Sequence, residues 1–98
     1  MNYLYNFFDD SKIHDYKLCE IIINYFNNNI IIKFKDEKNY DKTICIDNFT
    51  EFSISHNEPW ESGQYIVSSE CYINEYIGNI EFQLNSGDIC KIEYKLLR

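Results

Sequence analysis

Along most of this chain, hydrophobic and polar residues alternate with a period of two, the spacing of a strand with one buried face. Ile30, Ile32 and Phe34 alternate with Ile31, Lys33 and Lys35. Ile80, Phe82 and Leu84 alternate with Glu81 and Gln83, and Cys90, Ile92, Tyr94 and Leu96 with Lys91, Glu93 and Lys95. A looser alternation sets Cys19, Ile21, Ile23 and Tyr25 against Glu20, Ile22, Asn24 and Phe26, and another puts Tyr65, Val67, Ser69, Cys71 and Ile73 in one phase. Ile44 and Ile46 oppose Thr43, Cys45 and Asp47. The apolar positions then continue as Phe52 and Ile54 with Phe49 out of phase, which predicts a bulge or bend near Asn48–Thr50. The pattern predicts strands at 18–26, 30–35, 43–56, 64–73, 77–84 and 89–97.

Between these runs stand turn-forming residues: Asn27-Asn28-Asn29, the polar run 36–42, the loop 56–64 with Pro59 and Gly63, a turn around Gly78, and Asn85-Ser86-Gly87-Asp88. Links this short join antiparallel neighbours, because a parallel crossover needs a dozen or more residues. Residues 3–8 fit one or two helical turns or an edge strand, and no helical window of any length competes elsewhere. The expected fold is mainly β: an antiparallel two-layer sandwich or partly open barrel of about six strands, with the N-terminal segment covering one end or edge. At 98 residues it forms one β-rich domain, 1–98.

Composition adds a charge asymmetry. From Thr43 to Cys90 there is no Lys or Arg, while Asp47, Glu51, Glu58, Glu61, Glu70, Glu75, Glu81 and Asp88 all fall there, so of the net charge of −7 this middle carries −8 and the two ends +1. If these carboxylates share a surface, it attracts basic protein partners and repels nucleic acid and anionic membranes. The abundance of Ile, Asn, Tyr, Phe and Lys, with no Ala and one Arg, points to a low-GC genome, which also accounts for a surface rich in Tyr and Asn. No basic, apolar and small-residue leader opens the chain, and its apolar runs are too short to span a bilayer, so the expected compartment is the cytoplasm. Cys19, Cys45, Cys71 and Cys90 show no C-x-x-C spacing and are expected as free thiols. Cys19, Cys71 and Cys90 share the apolar phase of their strands and should be protected. Cys45 lies on the opposite phase and should be the most reactive.

Candidate chemistry is sparse. His14-Asp15 could serve a metal or a hydrolase only with partners that His56, the one other histidine, does not obviously supply; a structural role at the entry to the first strand is the simpler reading. No nucleophile elbow, zinc-protease helix, phosphate loop or dinucleotide turn is present, so neither an enzyme nor a cofactor is expected. The richest segment is 47–61, which joins four carboxylates to the single Trp, the single Pro and a His. Asp47, Glu51, His56, Glu58, Trp60 and Glu61 form the candidate partner-binding set: an apolar anchor flanked by steering charge, with Trp60 packed into the core as the alternative.

The segment Ser11-Lys-Ile-His-Asp-Tyr-Lys-Leu18, together with Glu58-Pro-Trp60 and Ser86-Gly-Asp-Ile-Cys-Lys-Ile92, resembles small bacterial immunity proteins of polymorphic-toxin and contact-dependent-inhibition systems. In these, a His-Asp pair introduces the first strand and a Trp segment sits near mid-chain. The resemblance implies a non-enzymatic protein that binds and neutralises a cognate toxin domain. A β-sandwich or barrel module that binds another protein or a small molecule is the alternative.

Overall fold

The computed structural model describes residues 3–57 and 64–96. A short helix α1 (Tyr3–Phe8) and a 3-10 turn (Asp9–Ser11) precede seven strands: β1 (Lys17–Asn24), β2 (Asn29–Lys35), β3 (Asp41–Asp47), β4 (Phe49–Ile54), β5 (Ile66–Asn74), β6 (Ile77–Leu84) and β7 (Ile89–Lys95). They form two antiparallel sheets, a three-stranded sheet in the order β1-β2-β3 and a four-stranded sheet in the order β4-β7-β6-β5. The expected mainly-β, two-layer antiparallel architecture is what the chain forms, and the sheets do not close into a barrel.

The seventh strand comes from Asn48. This residue has φ 60°, a left-handed conformation that Asn tolerates and most residues do not. Its kink breaks the run 43–56 in two. The first half pairs with β2 and the second with β7, so one stretch of chain passes from one sheet to the other. Thr50 is then the extra residue of a bulge, because Phe49 opposes Tyr94 and Glu51 opposes Glu93. The irregularity expected near Asn48–Thr50 is therefore the corner of the sandwich. Tyr25 and Phe26 fall outside β1, in the turn that leads to Asn28 (φ 58°).

Two further bulges overturn expected faces. In β1, Leu18 opposes Phe34 and Glu20 opposes Lys33, leaving Cys19 as the unpaired residue. Leu18 and Ile21 both turn inward, and Cys19 is exposed instead of protected. In β5, Ile66 opposes Leu84 and Ser68 opposes Gln83, so Val67 is the extra residue. Ile66, Ser69 and Cys71 are buried, whereas Tyr65 and Val67 face outward. The period-two reading fails at both places because one inserted residue inverts the phase of the chain before it. The two bulges lie close together, where Lys17 bridges to Tyr65 and the sheets meet. Cys71 and Cys90 are buried and Cys45 is exposed, as their phases required.

The core is one cluster drawn from both sheets. Phe8 from α1 enters the gap between the layers: its ring stacks on Phe82 at 6.0 Å with an interplanar angle of 4°, and stands 6.3 Å from Phe34. The N-terminal segment thus plugs one end of the sandwich. The turn expected around Gly78 instead centres on Glu75 (φ 57°), and Gly78 is a buried position of β6 opposite Tyr94.

Candidate functional site

Beyond the bulges at Thr50 and Val67, each strand of the four-stranded sheet presents one phase outward, and the polar residues of that phase share a single outer face. The register arranges that face in rows. One row runs Ser53–Lys91–Glu81–Glu70 across β4, β7, β6 and β5, and the next runs Glu51–Glu93–Asn79–Tyr72. Glu51 therefore directly opposes Glu93, and Glu70 directly opposes Glu81, two like-charge pairs at cross-strand contact distance. Thr50 donates from Oγ1 to Glu93 Oε2 at 2.7 Å, which fixes one of these carboxylates above the sheet. Tyr72 senses the others: a hydrogen bond to Glu70, then desolvation, then the charges of Glu70 and Glu81 hold its phenol above the ordinary value. Lys91, between Ser53 and Glu81, is the cation within these two rows. Glu51, Tyr72, Glu81, Lys91 and Glu93 border a groove of about 260 Å³ along this face.

The outer face of the three-stranded sheet is different. There Lys33 meets Glu20 at 3.7 Å and Lys35 meets Asp41 at 2.6 Å. Two ion pairs thus form on this sheet, although Lys17 also opposes Lys35, whereas on the four-stranded sheet the two carboxylate pairs stand with Lys91, which opposes Glu81.

The predicted set is dispersed across this framework. Glu51 joins the acidic face, but Asp47 lies on the outer face of the three-stranded sheet, where its carboxylate accepts a long 3.7 Å contact from Cys45 Sγ. His56 is exposed just beyond β4, beside a cleft of about 300 Å³ bordered by Leu18, Ile21, Ile54 and Leu84. Glu58, Trp60 and Glu61 lie outside the described residues. Glu70, Glu81 and Glu93, which read in sequence as ordinary solvated strand positions, are what the register brings onto the same face as Glu51. No local signal could have found them, since they come from three strands and depend on pairing.

Asp88 does not belong to that surface. It is 2% exposed, and its Oδ1 accepts hydrogen bonds from the Asn57 backbone N–H at 3.0 Å and Asn57 Nδ2 at 2.9 Å. Oδ2 accepts from Ser86 Oγ at 2.6 Å. These bonds, the one from Ser86 foremost, hold its pKa below the ordinary value. Asp88 is a clamp that ties the chain after β4 to the β6–β7 turn. His14 and Asp15 form an exposed pair, Nδ1 to Oδ2 3.2 Å, in the loop before β1, where the Asp15 N–H donates to Ile66 O at 2.8 Å. Among the described residues no three His, Cys, Asp or Glu side chains converge as a metal site, and no helix is long and apolar enough to cross a membrane.

No family model matches the chain, and no curated protein does. A crystal structure of an uncharacterized protein from Neisseria gonorrhoeae superimposes with a TM-score of 0.66, at 22% identity, over 84% of this chain and 86% of that one. The two share a fold. At that identity the likeness concerns architecture alone.

Proposed function

We propose that this chain is a non-enzymatic binding protein that docks a basic protein domain on the outer face of its four-stranded sheet, as an immunity protein does with a cognate toxin. The observation that carries this reading is the pairing of Glu51 with Glu93 and of Glu70 with Glu81. Like charges directly opposed across strands cost stability, and a cationic surface laid over them relieves that cost while gaining steered association. A β-sheet face also offers a flat, rigid platform of the kind a folded domain can cover. The immunity role adds the resemblance at Ile13-His14-Asp15 and Ser86–Ile92 to this electrostatic argument.

The test is co-expression with the product of the adjacent reading frame. If that product is toxic, the wild-type chain should restore growth and form a complex whose association slows with salt, since exposed charges are screened beyond about 10 Å at 0.1 M. A Glu51→Lys/Glu81→Lys/Glu93→Lys variant should keep its fold and lose the rescue. Unchanged rescue by that variant would sink the proposal.

A second reading rests on the cleft of about 300 Å³ beside His56, where Leu18, Ile21, Ile54 and Leu84 share the lining with polar residues that include Glu20, Gln64 and Asp88. It has the size and mixed lining of a small-ligand pocket. Ligand-induced shifts confined to Leu18, Ile21 and Leu84 in an NMR fragment screen would favour it over the acidic face.

A further inference from the structure

The edge of β5 is closed over part of its length and open over the rest. β5 is the last strand of its sheet, so the backbone groups on its outer side need partners from elsewhere. At Ile66 they have them: its N–H donates to Tyr16 O, and its C=O accepts from Asp15 N, both at 2.8 Å. At Ser69, the next residue in that phase after the Val67 bulge, Ser11 Oγ takes the place of a strand. It accepts from Ser69 N at 3.1 Å and donates to Ser69 O at 3.4 Å. Ser69 Oγ in turn donates to Phe8 O at 2.7 Å, which fixes the 3-10 turn against the edge. The next two residues in phase are Cys71 and Ile73. Their edge-facing N–H and C=O groups meet no bonding partner among the described residues.

Beside this open stretch lies a groove of about 550 Å³, with Glu70–Ile73 as one wall and Tyr5, Asp9 and Asp10 as the other. A strand edge facing a helical wall across a groove is the geometry in which an extended peptide adds to a sheet. The walls specify the peptide. Asp9 and Asp10 on one side and Glu70 on the other are carboxylates, and among the described residues no Lys or Arg borders the groove. Exposed Ile73 and the ring of Tyr72 offer apolar contact between them. Glu70 and Tyr72 also belong to the outer face of the four-stranded sheet, so edge and face are continuous.

We propose that the partner is held in part by β-augmentation: an extended segment carrying Lys or Arg at alternate positions pairs with Cys71–Ile73 of β5 and lies between Asp9–Asp10 and Glu70. This rests on the preceding reading only for the sign of the partner's charge. The binding mode is independent of it.

The probe is the peptide Lys-Val-Lys-Val-Lys-Val, titrated into the isotope-labelled full chain. The amides of Cys71 and Ile73 should shift and gain at least about tenfold protection from hydrogen exchange. The same peptide N-methylated at alternate residues should bind at least about tenfold more weakly, because it cannot complete the ladder. An Asp9→Asn/Asp10→Asn variant, which leaves the β5 backbone untouched, should also bind it more weakly. Equal affinity of the methylated peptide, or shifts confined to Glu51 and Glu93, would overturn the augmentation while leaving the acidic-face function standing. Protection of Cys71 and Ile73 by Thr-Val-Thr-Val-Thr-Val as strong as by the basic peptide would overturn the charge assignment in both. Protection that rises with protein concentration alone would identify a second copy of this chain as the occupant and refute the proposal.

Discussion

Gly78 offers the sharpest test of how this sandwich is packed. It sits in β6 directly opposite Tyr94 of β7, on the inner face, and both residues are buried. A Cβ built on Gly78 would overlap Cζ, Cε1 and Oη of Tyr94, so the phenol ring lies flat across the space that any side chain would need. The ring has little room to yield. It is 2% exposed, and its hydroxyl contacts Cys71 Sγ at 3.7 Å. Gly78 does not have the positive φ that sets Gly87 apart (93°), so a substitution there acts by sterics alone.

Overpacking of this kind typically costs about 1–3 kcal/mol. Complete loss of a buried aromatic side chain sets an upper scale of about 3–5 kcal/mol. Because three atoms of one buried ring are overlapped, the cost lies near the upper scale; less the few tenths to about 1 kcal/mol that Ala contributes by restricting the unfolded chain, Gly78→Ala should destabilise by roughly 2–4 kcal/mol. For a domain of this size that lowers Tm by 10 °C or more, as an order of magnitude.

The decisive measurement is a double-mutant cycle with Tyr94→Leu, followed by urea denaturation. Leu lacks all three of the atoms with which the new Cβ collides. In that background Gly78→Ala should be neutral or slightly stabilising, giving a coupling of about 2 kcal/mol or more. A cost below about 0.5 kcal/mol in the wild type, or the same cost in the Tyr94→Leu background, would refute this reasoning.

Further outcomes follow from the thiols and from Asp88. In native protein a thiol reagent should label Cys19 and Cys45 only, with Cys71 and Cys90 reacting after denaturation; fast native labelling of Cys90 would contradict its burial. Partial burial and then the Asp47 carboxylate raise the Cys45 pKa, so Asp47→Asn should speed labelling of Cys45 at neutral pH. Burial pushes the Cys90 thiol from 9.0 up to about 12. The unfolded chain therefore loses this proton first, and stability should fall as pH rises from about 9 towards 12; Cys90→Ala should flatten that alkaline limb in urea midpoints against pH. The lowered pKa of Asp88 works in the opposite sense: its contribution is present above the ordinary 3.8 and is lost as pH falls through the lower folded value. Asp88→Asn should weaken the acid-side dependence of stability and loosen the chain around Asn57, seen as faster amide exchange there.

The strands were legible in the sequence because alternation is a local property: Ile80-Glu-Phe-Gln-Leu84 and Cys90-Lys-Ile-Glu-Tyr94 have only one way to bury their apolar side. Short Asn- and Gly-bearing links settled their antiparallel sense, and Asn48 announced itself as an irregularity. Where both phases are apolar, as in Ile21-Ile22-Ile23, or where a single residue is inserted, as at Cys19 and Val67, the local pattern has no means of choosing a face. That choice fell to the partner strand, since Phe34 and Ile32, or Leu84 and Phe82, fix which neighbours must turn inward. The carboxylates obeyed the same division. The sequence determined that the middle of the chain holds no cation, but its candidate set at 47–61 followed chain proximity. Pairing register instead buried Asp88 under Asn57 and Ser86 and sent Asp47 to the other sheet. It placed Glu51 against Glu93, and Glu70 against Glu81, because a strand's neighbours in space are set by hydrogen bonds to strands tens of residues away.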